Sequence, residues 1–246
     1  MKPLSMNNNI LIMIPAYNEE NTIEEVVRRV SELYPDFDIL VINDGSEDET
    51  EKRAKKAGAM VITLPFHAGG TVAILTGYLM ALEHGYDYLV KIDGDGQHRP
   101  KDVERVLQPV IMGRADICVG SRYLANKNEM EEDDSIIKIG GRAFSSALIS
   151  TLTKRKITDT TSGLRAWNRK ALRILTNAYL NERRLPDDSV LWLVETIIAN
   201  EKKLKIKEVS IEVLPRKYGK SKSYSFSKMV KYPIRLIKLL MEVMSK

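Results

Sequence analysis

The 246-residue sequence holds a single cysteine, so no disulfide within the chain can brace its fold. Cys118 lies in the apolar run Ile117-Cys118-Val119, where a packed strand residue is expected rather than a nucleophile. Such cysteine usage suits a reducing compartment. Long apolar runs are missing as well: none approaches the roughly 20 residues that cross a bilayer, so no transmembrane segment is expected. The N-terminus lacks an apolar core followed by a small-residue cleavage site, because Asn7-Asn8-Asn9 interrupts it, and no secretion signal is expected. Internal repeats and low-complexity linkers are absent. So are the recognition motifs and interleaved aromatics of nucleic-acid modules. The modest net charge of +5 is therefore expected to serve phosphorylated substrates or anionic lipid, not nucleic acid.

What is present is an ordinary globular composition. With 43% apolar and 29% charged residues, the chain can bury a real core and lies far from the composition of disordered chains. Its length fits one α/β domain. Ile10–Ile14, Phe37–Asn43, Met60–Leu64, Tyr88–Ile92 and Asp116–Gly120 are short, β-branched and bounded by turn residues, and read as strands. Between the first two, Ile23, Val26, Val27, Val30 and Leu33 share one helix face, and Asn21 with Glu24 has the spacing of a capping box. Further helices are expected over Thr50–Lys56, Thr71–His84 and Lys101–Met112, each after a strand, which is the pattern of a mostly parallel sheet flanked by helices. The second half is less regular. An acidic loop runs from Asn126 to Asp134, followed by an amphipathic segment over Ile136–Leu152, a polar string from Thr158 to Gly163, a helix near Val190–Asn200 and a strand near Ile206–Val213. These are expected to decorate the same sheet.

Three polar clusters directly follow predicted strands: Pro15-Ala16-Tyr17-Asn18-Glu19-Glu20, Asn43-Asp44-Gly45-Ser46, and Asp93-Gly94-Asp95-Gly96-Gln97-His98. Ligands of open α/β sheets bind at the carboxyl ends of the strands, so the three are expected to converge on one crevice. Asp93, Asp95 and Gln97 alternate along an extended segment, which supplies hard oxygen ligands for Mg²⁺ or Mn²⁺. A solvated glycine-rich turn is the plainer alternative, but two acids ending a buried strand are costly to place together without a cation. An EF-hand is excluded: Glu104 falls at the twelfth position of such a loop, yet the sixth is His98 rather than glycine, Pro100 intrudes, and a strand precedes the segment.

These strings, with Gly120-Ser121-Arg122-Tyr123, Asp159 to Arg165 and Arg216 to Lys222, resemble in order the large inverting GT-A glycosyltransferase family that contains dolichol-phosphate mannose synthase and related polyprenol-phosphate glycosyltransferases. The resemblance implies a single Rossmann-like GT-A domain over 1–246. Residues 1–122 would form the nucleotide-sugar and metal half, 123–225 the acceptor half, and 226–246 a C-terminal helix. It implies that Pro15, Tyr17, Glu19, Asp44 and Asp93 hold a nucleotide-sugar donor, and that Asp93, Asp95 and Gln97 bind the divalent cation. Asp95 and Arg122 would stand at the reacting centre, and Ser162, Arg165, Arg216 and Lys222 would meet the acceptor phosphate. Two departures touch the nucleotide side. His67-Ala68-Gly69-Gly70-Thr71 replaces the Asn-x-Gly-x-Gly of many relatives, and Asn43 stands where an aspartate is common.

The acceptor leaves two readings open. A polyprenyl phosphate is largely ionised at neutral pH and needs no catalytic base. A saccharide hydroxyl does need one, and Asp187 and Asp188 lie where hydroxyl-using relatives carry an acidic base. They read equally well as an acidic pair at a helix N-terminus. From Phe226 to Met244, Val230, Ile234, Ile237 and Met241 share one helical face while Lys228, Lys231, Arg235 and Lys238 line another. This basic amphipathic segment either lies in the interface of an anionic membrane, on its cytoplasmic side, or packs on its own sheet.

Overall fold

The computed structural model of the protein describes residues 9–124, 136–182 and 185–218. Lys222, the acidic loop over Asn126–Asp134 and the C-terminal amphipathic segment lie outside the described residues. The elements run β1 (Ile10–Ala16), α1 (Ile23–Leu33), β2 (Asp38–Asn43), α2 (Thr50–Lys56), β3 (Met60–Thr63), α3 (Gly70–Glu83), β4 (Tyr88–Lys91), α4 (Asp102–Ile111) and β5 (Ile117–Ser121). After these come α5 (Ile136–Thr153), β6 (Arg165–Asn168), α6 (Arg169–Leu180), α7 (Leu191–Glu201) and β7 (Ile206–Ser210).

The seven strands form one sheet in the order β3-β2-β1-β4-β6-β5-β7. All neighbours are parallel except around β6, which runs antiparallel to both β4 and β5. Strand β1 shows why the sheet is central. Leu11 and Met13 enter the core beneath α3, α6 and α7, while Ile10, Ile12 and Ile14 enter the opposite core beneath α1 and α4. Alternate residues point to opposite faces, so a strand apolar at every position must be covered on both. Helix α3 lies close enough on β1 that a β-carbon at Gly77 would overlap the Met13 sulfur.

Helix α1 buries Ile23, Val26, Val27 and Val30, as the periodicity predicts, but Leu33, expected on the same face, is exposed at the helix end. The expected capping box does not form: the N-cap is Thr22, whose side chain makes no capping bond and turns back to the Glu19 carbonyl and carboxylate. The pair β6 and α6 was not anticipated. Helix α6 begins where Asn168 ends β6 and caps the helix by accepting the Ala171 N–H at 2.8 Å. Among the described residues no helix is long and apolar enough to cross a membrane.

Candidate active site

The carboxyl ends of β1 and β2 lie side by side, joined by the Asp44 N–H donating to the Ala16 carbonyl. Buried Asp44 anchors the loop that leads into α3. Its carboxylate accepts from the Ala68 N–H at 2.7 Å and the Gly69 N–H at 3.0 Å, and faces His67 Nδ1 at 2.8 Å. His67 in turn stacks on Tyr17, with ring centroids 3.8 Å apart. Gly45, at φ +65°, lets Phe66 and His67 come this close, since a β-carbon there would overlap their backbone. Of the expected nucleotide residues, Tyr17 and Asp44 are thus joined through His67, while Pro15 lies in β1 opposite Ile42 of β2. Glu19 is half-buried, and its N–H donates to Thr50 Oγ1.

At the end of β4, Lys91 is 5% exposed and pairs with Asp93, while its ammonium also lies 5.5 Å from the centre of the Trp192 ring. His98 Nδ1 stands 3.3 Å from the other Asp93 oxygen, without an aligned hydrogen bond. Burial pushes the Asp93 carboxyl up, but the Lys91 ammonium, with His98 and Arg216, outweighs it and holds the group at about 2. Asp95 is raised, first by burial and then by the charge of Asp93. Arg216 Nη2 bridges Asp95 Oδ2 at 2.5 Å and Gln97 Oε1 at 3.2 Å. One nitrogen of a cation therefore sits between two of the three expected metal ligands, so this donor set accepts positive charge. Among the described residues no three His, Cys, Asp or Glu side chains gather into a cation cage. Two carboxylates and an amide suit a cation that takes its remaining oxygens from phosphate and water.

The third group lies at the end of β5. Arg122 donates to both oxygens of Asp159, at 2.7 and 2.9 Å, and to Thr161 Oγ1 at 2.7 Å. The Glu208 carboxylate fixes this turn by accepting the Thr158 and Asp159 N–H groups. The turn then passes so near the acidic pair that a β-carbon at Gly163 would overlap Lys91 Nζ and Asp93 Oδ2.

Arg165 corrects the sequence expectation. It is 1% exposed, and its guanidinium is consumed by Glu195 at 3.1 Å and by the Ser162 and Thr160 carbonyls. Glu195 also accepts from Tyr78 and Trp167, and burial raises its carboxyl. An arginine so enclosed has no face for an acceptor phosphate; it braces the floor of the site. Ser162 is also buried, and among the described residues its Oγ meets no hydrogen-bond partner. Asp188 reaches across to the N-terminus of α3, accepting from the Gly70 N–H at 3.0 Å and the Thr71 N–H at 2.7 Å. Asp187 accepts from the N–H and hydroxyl of Ser189. Asp188 therefore serves a helix N-terminus, that of α3, while Asp187 stays with the turn that precedes α7.

Residues 11–175 match the family described as Glycosyl transferase family 2. The chain belongs to that family. The glycosyltransferase is 32% identical over 249 residues to the UDP-N-acetylglucosamine–dolichyl-phosphate N-acetylglucosaminyltransferase of Methanococcus voltae, an alignment covering 94% of this chain and 96% of that protein. It is also 32% identical over 170 residues to the polyprenol monophosphomannose synthase of Mycolicibacterium smegmatis, covering 66% of this chain and 62% of that one. Among solved structures it resembles glucosyl-3-phosphoglycerate synthase from Mycobacterium tuberculosis in complex with Mn²⁺ and UDP-glucose. The TM-score is 0.69 at 20% identity, over 96% of this chain and 79% of that one, a likeness of fold.

Sequence reasoning passed over three neighbours of the transferase's site. The signal for Lys91 is a lysine inside the apolar run Tyr88–Ile92, with Asp93 two residues on to pair with it. His67 lies in the segment that departs from the pattern of many relatives, and Asp159 in the polar string before β6, and the partners of both are distant in sequence.

Proposed function

We propose that this glycosyltransferase moves a sugar from a nucleotide-sugar to a polyprenyl phosphate at a membrane surface, with inversion. The observation that carries the choice of acceptor is the engagement of both candidate bases. Asp188 is spent on the Gly70 and Thr71 N–H groups, and Asp187 on Ser189. An acceptor that arrives ionised needs neither. The relatives named for dolichyl-phosphate and polyprenol transfer support the same reading.

In this reading Tyr17 and His67, stacked and fixed by Asp44, form the nucleotide end of the crevice with Pro15 and Glu19. Asp93, Asp95 and Gln97 would hold Mg²⁺ or Mn²⁺, which when bound neutralises charge growing on a diphosphate leaving group. Arg122, locked to Asp159, presents fixed positive charge beside the turn that carries Ser162, and Arg216 and Lys222 supply further donors to phosphate. Lys91 keeps Asp93 ionised.

The test supplies radiolabelled UDP- and GDP-sugars with polyprenyl phosphate and Mn²⁺. Label should enter the organic phase with one of the donors, be lost in Asp95→Ala, and persist in Asp187→Asn and Asp188→Asn. Label that moves only to a water-soluble saccharide, and stops in either asparagine variant, would establish a hydroxyl acceptor instead.

A further inference from the structure

Asp93 and Asp95 are each matched by a cation of the chain itself, but the two cations are mounted differently. Lys91 is buried on β4 beneath Asp93 and against Trp192. Arg216 lies on the segment beyond β7. That segment is held beside the acidic turn by the Leu214 N–H donating to the Gln97 carbonyl at 2.8 Å, by the Gln97 side-chain amide donating to the Leu214 carbonyl at 3.4 Å, and by a bridge between His98 and Val213. Past Leu214 the segment is tied again at Lys217, whose ammonium lies 3.4 Å from the Glu25 carboxylate, and between these points Arg216 reaches Asp95 by a long side chain. Its guanidinium and Asp95 are less than one-fifth exposed, which strengthens the pair relative to one in open solvent.

We propose that Arg216 is an internal counter-cation that occupies Asp95 and Gln97 until a divalent cation and a diphosphate arrive together. This rests on the reading of Asp93, Asp95 and Gln97 as metal ligands. Arg216 Nη2 draws on Asp95 Oδ2 and Gln97 Oε1, side chains that would hold the ion in that reading, and a guanidinium and a divalent ion so close together would repel each other. Binding of the ion alone must break the Arg216 contacts and leave a permanent positive charge without a partner. A diphosphate beside the ion gives the released guanidinium a bidentate acceptor. Metal and nucleotide thereby raise each other's affinity, and by linkage the effect is equal in both directions.

Mn²⁺ binding, read from the electron paramagnetic resonance signal of free Mn²⁺, tests this with the full chain, with and without UDP or GDP. Without nucleotide, Arg216→Ala and Arg216→Gln should bind Mn²⁺ about tenfold more tightly than the wild type, which corresponds to about nine in ten molecules being held by the arginine. The added affinity that nucleotide gives to Mn²⁺ should shrink in both, while Arg216→Lys should fall between. A merely structural role for Arg216 would lower Mn²⁺ affinity rather than raise it. Unchanged or weaker binding in both neutral variants overturns the proposal while Asp95→Ala still abolishes binding. Undiminished Mn²⁺ binding in Asp95→Ala, or none in the wild type, overturns the ligand assignment, and the role of Arg216 with it.

Discussion

Asp159 is almost wholly buried, yet it carries its charge because Arg122 meets it with two nitrogens. Burial pushes its carboxyl up, but the hydrogen bonds and charge of Arg122, with the Thr161 N–H, outweigh it and hold the group below the usual 3.8. The unfolded chain therefore takes up this proton before the folded one. The pair's contribution is complete above the ordinary aspartate value and is lost as pH falls through the lower folded value. Asp159→Asn should be less stable than the wild type at neutral pH and show a shallower loss of melting temperature on acidification. Asp116, also lowered, leaves some acid sensitivity in both. At this scale the sequence was legible where chemistry is local: Asp93, Asp95 and Gln97 sit together because their alternation follows a strand end. It was misleading for Arg165, because membership in a polar string does not say which face of β6 a residue takes. That face is decided by Glu195, thirty residues away on α7.

Helix α3 begins with its donors taken by two carboxylates from distant elements, Asp44 on the Gly69 N–H and Asp188 on the Gly70 and Thr71 N–H groups. A carboxylate here satisfies unpaired amides and complements the helix dipole. Asp188→Ala should cost about 1 kcal/mol in urea unfolding, the usual worth of a lost N-terminal cap, and Asp188→Asn a fraction of that, since asparagine caps as well. A role as base would instead leave stability unchanged in the asparagine variant and remove activity. The elements from β1 to β5 were legible to within two residues at either end, because a central strand and its covering helix each carry an unbroken period. Strand β6 was not, since four residues, Arg-Ala-Trp-Asn, hold too little period to read, and two of them are polar. Helix α6 has apolar residues at helical spacing, Ala171, Leu172, Leu175, Ala178 and Tyr179, but Arg169, Lys170 and Arg173 at its start oppose the dipole and blur the signal.

Across the whole molecule, the reversed direction of β6 decides how the second half reaches the crevice. In the parallel strands the site lies on the loop that leaves the strand. In β6 it lies on the loop that enters, so Asp159 to Leu164 stand beside Asp93 before the chain turns into the sheet. The same reversal has a consequence for synthesis. Strands β1, β2 and β3 pair with near neighbours in sequence, whereas β4 pairs back to β1 and forward to β6 across 78 residues each, from Leu11 to Leu89 and from Leu89 to Trp167, and β5 reaches further still to β7, from Ile117 to Ile206. Non-local pairings of this kind form late, because loop closure must precede their reward. A nascent chain that has completed every nucleotide-side residue up to Gln97 still exposes the bare edge of β4, an open template for another strand. A fragment ending at Leu124 should therefore associate rather than fold as a monomer in size-exclusion chromatography. The donor-side residues could then not be moved as a cassette into another protein, since the strand that seals them is made only after the acceptor turn.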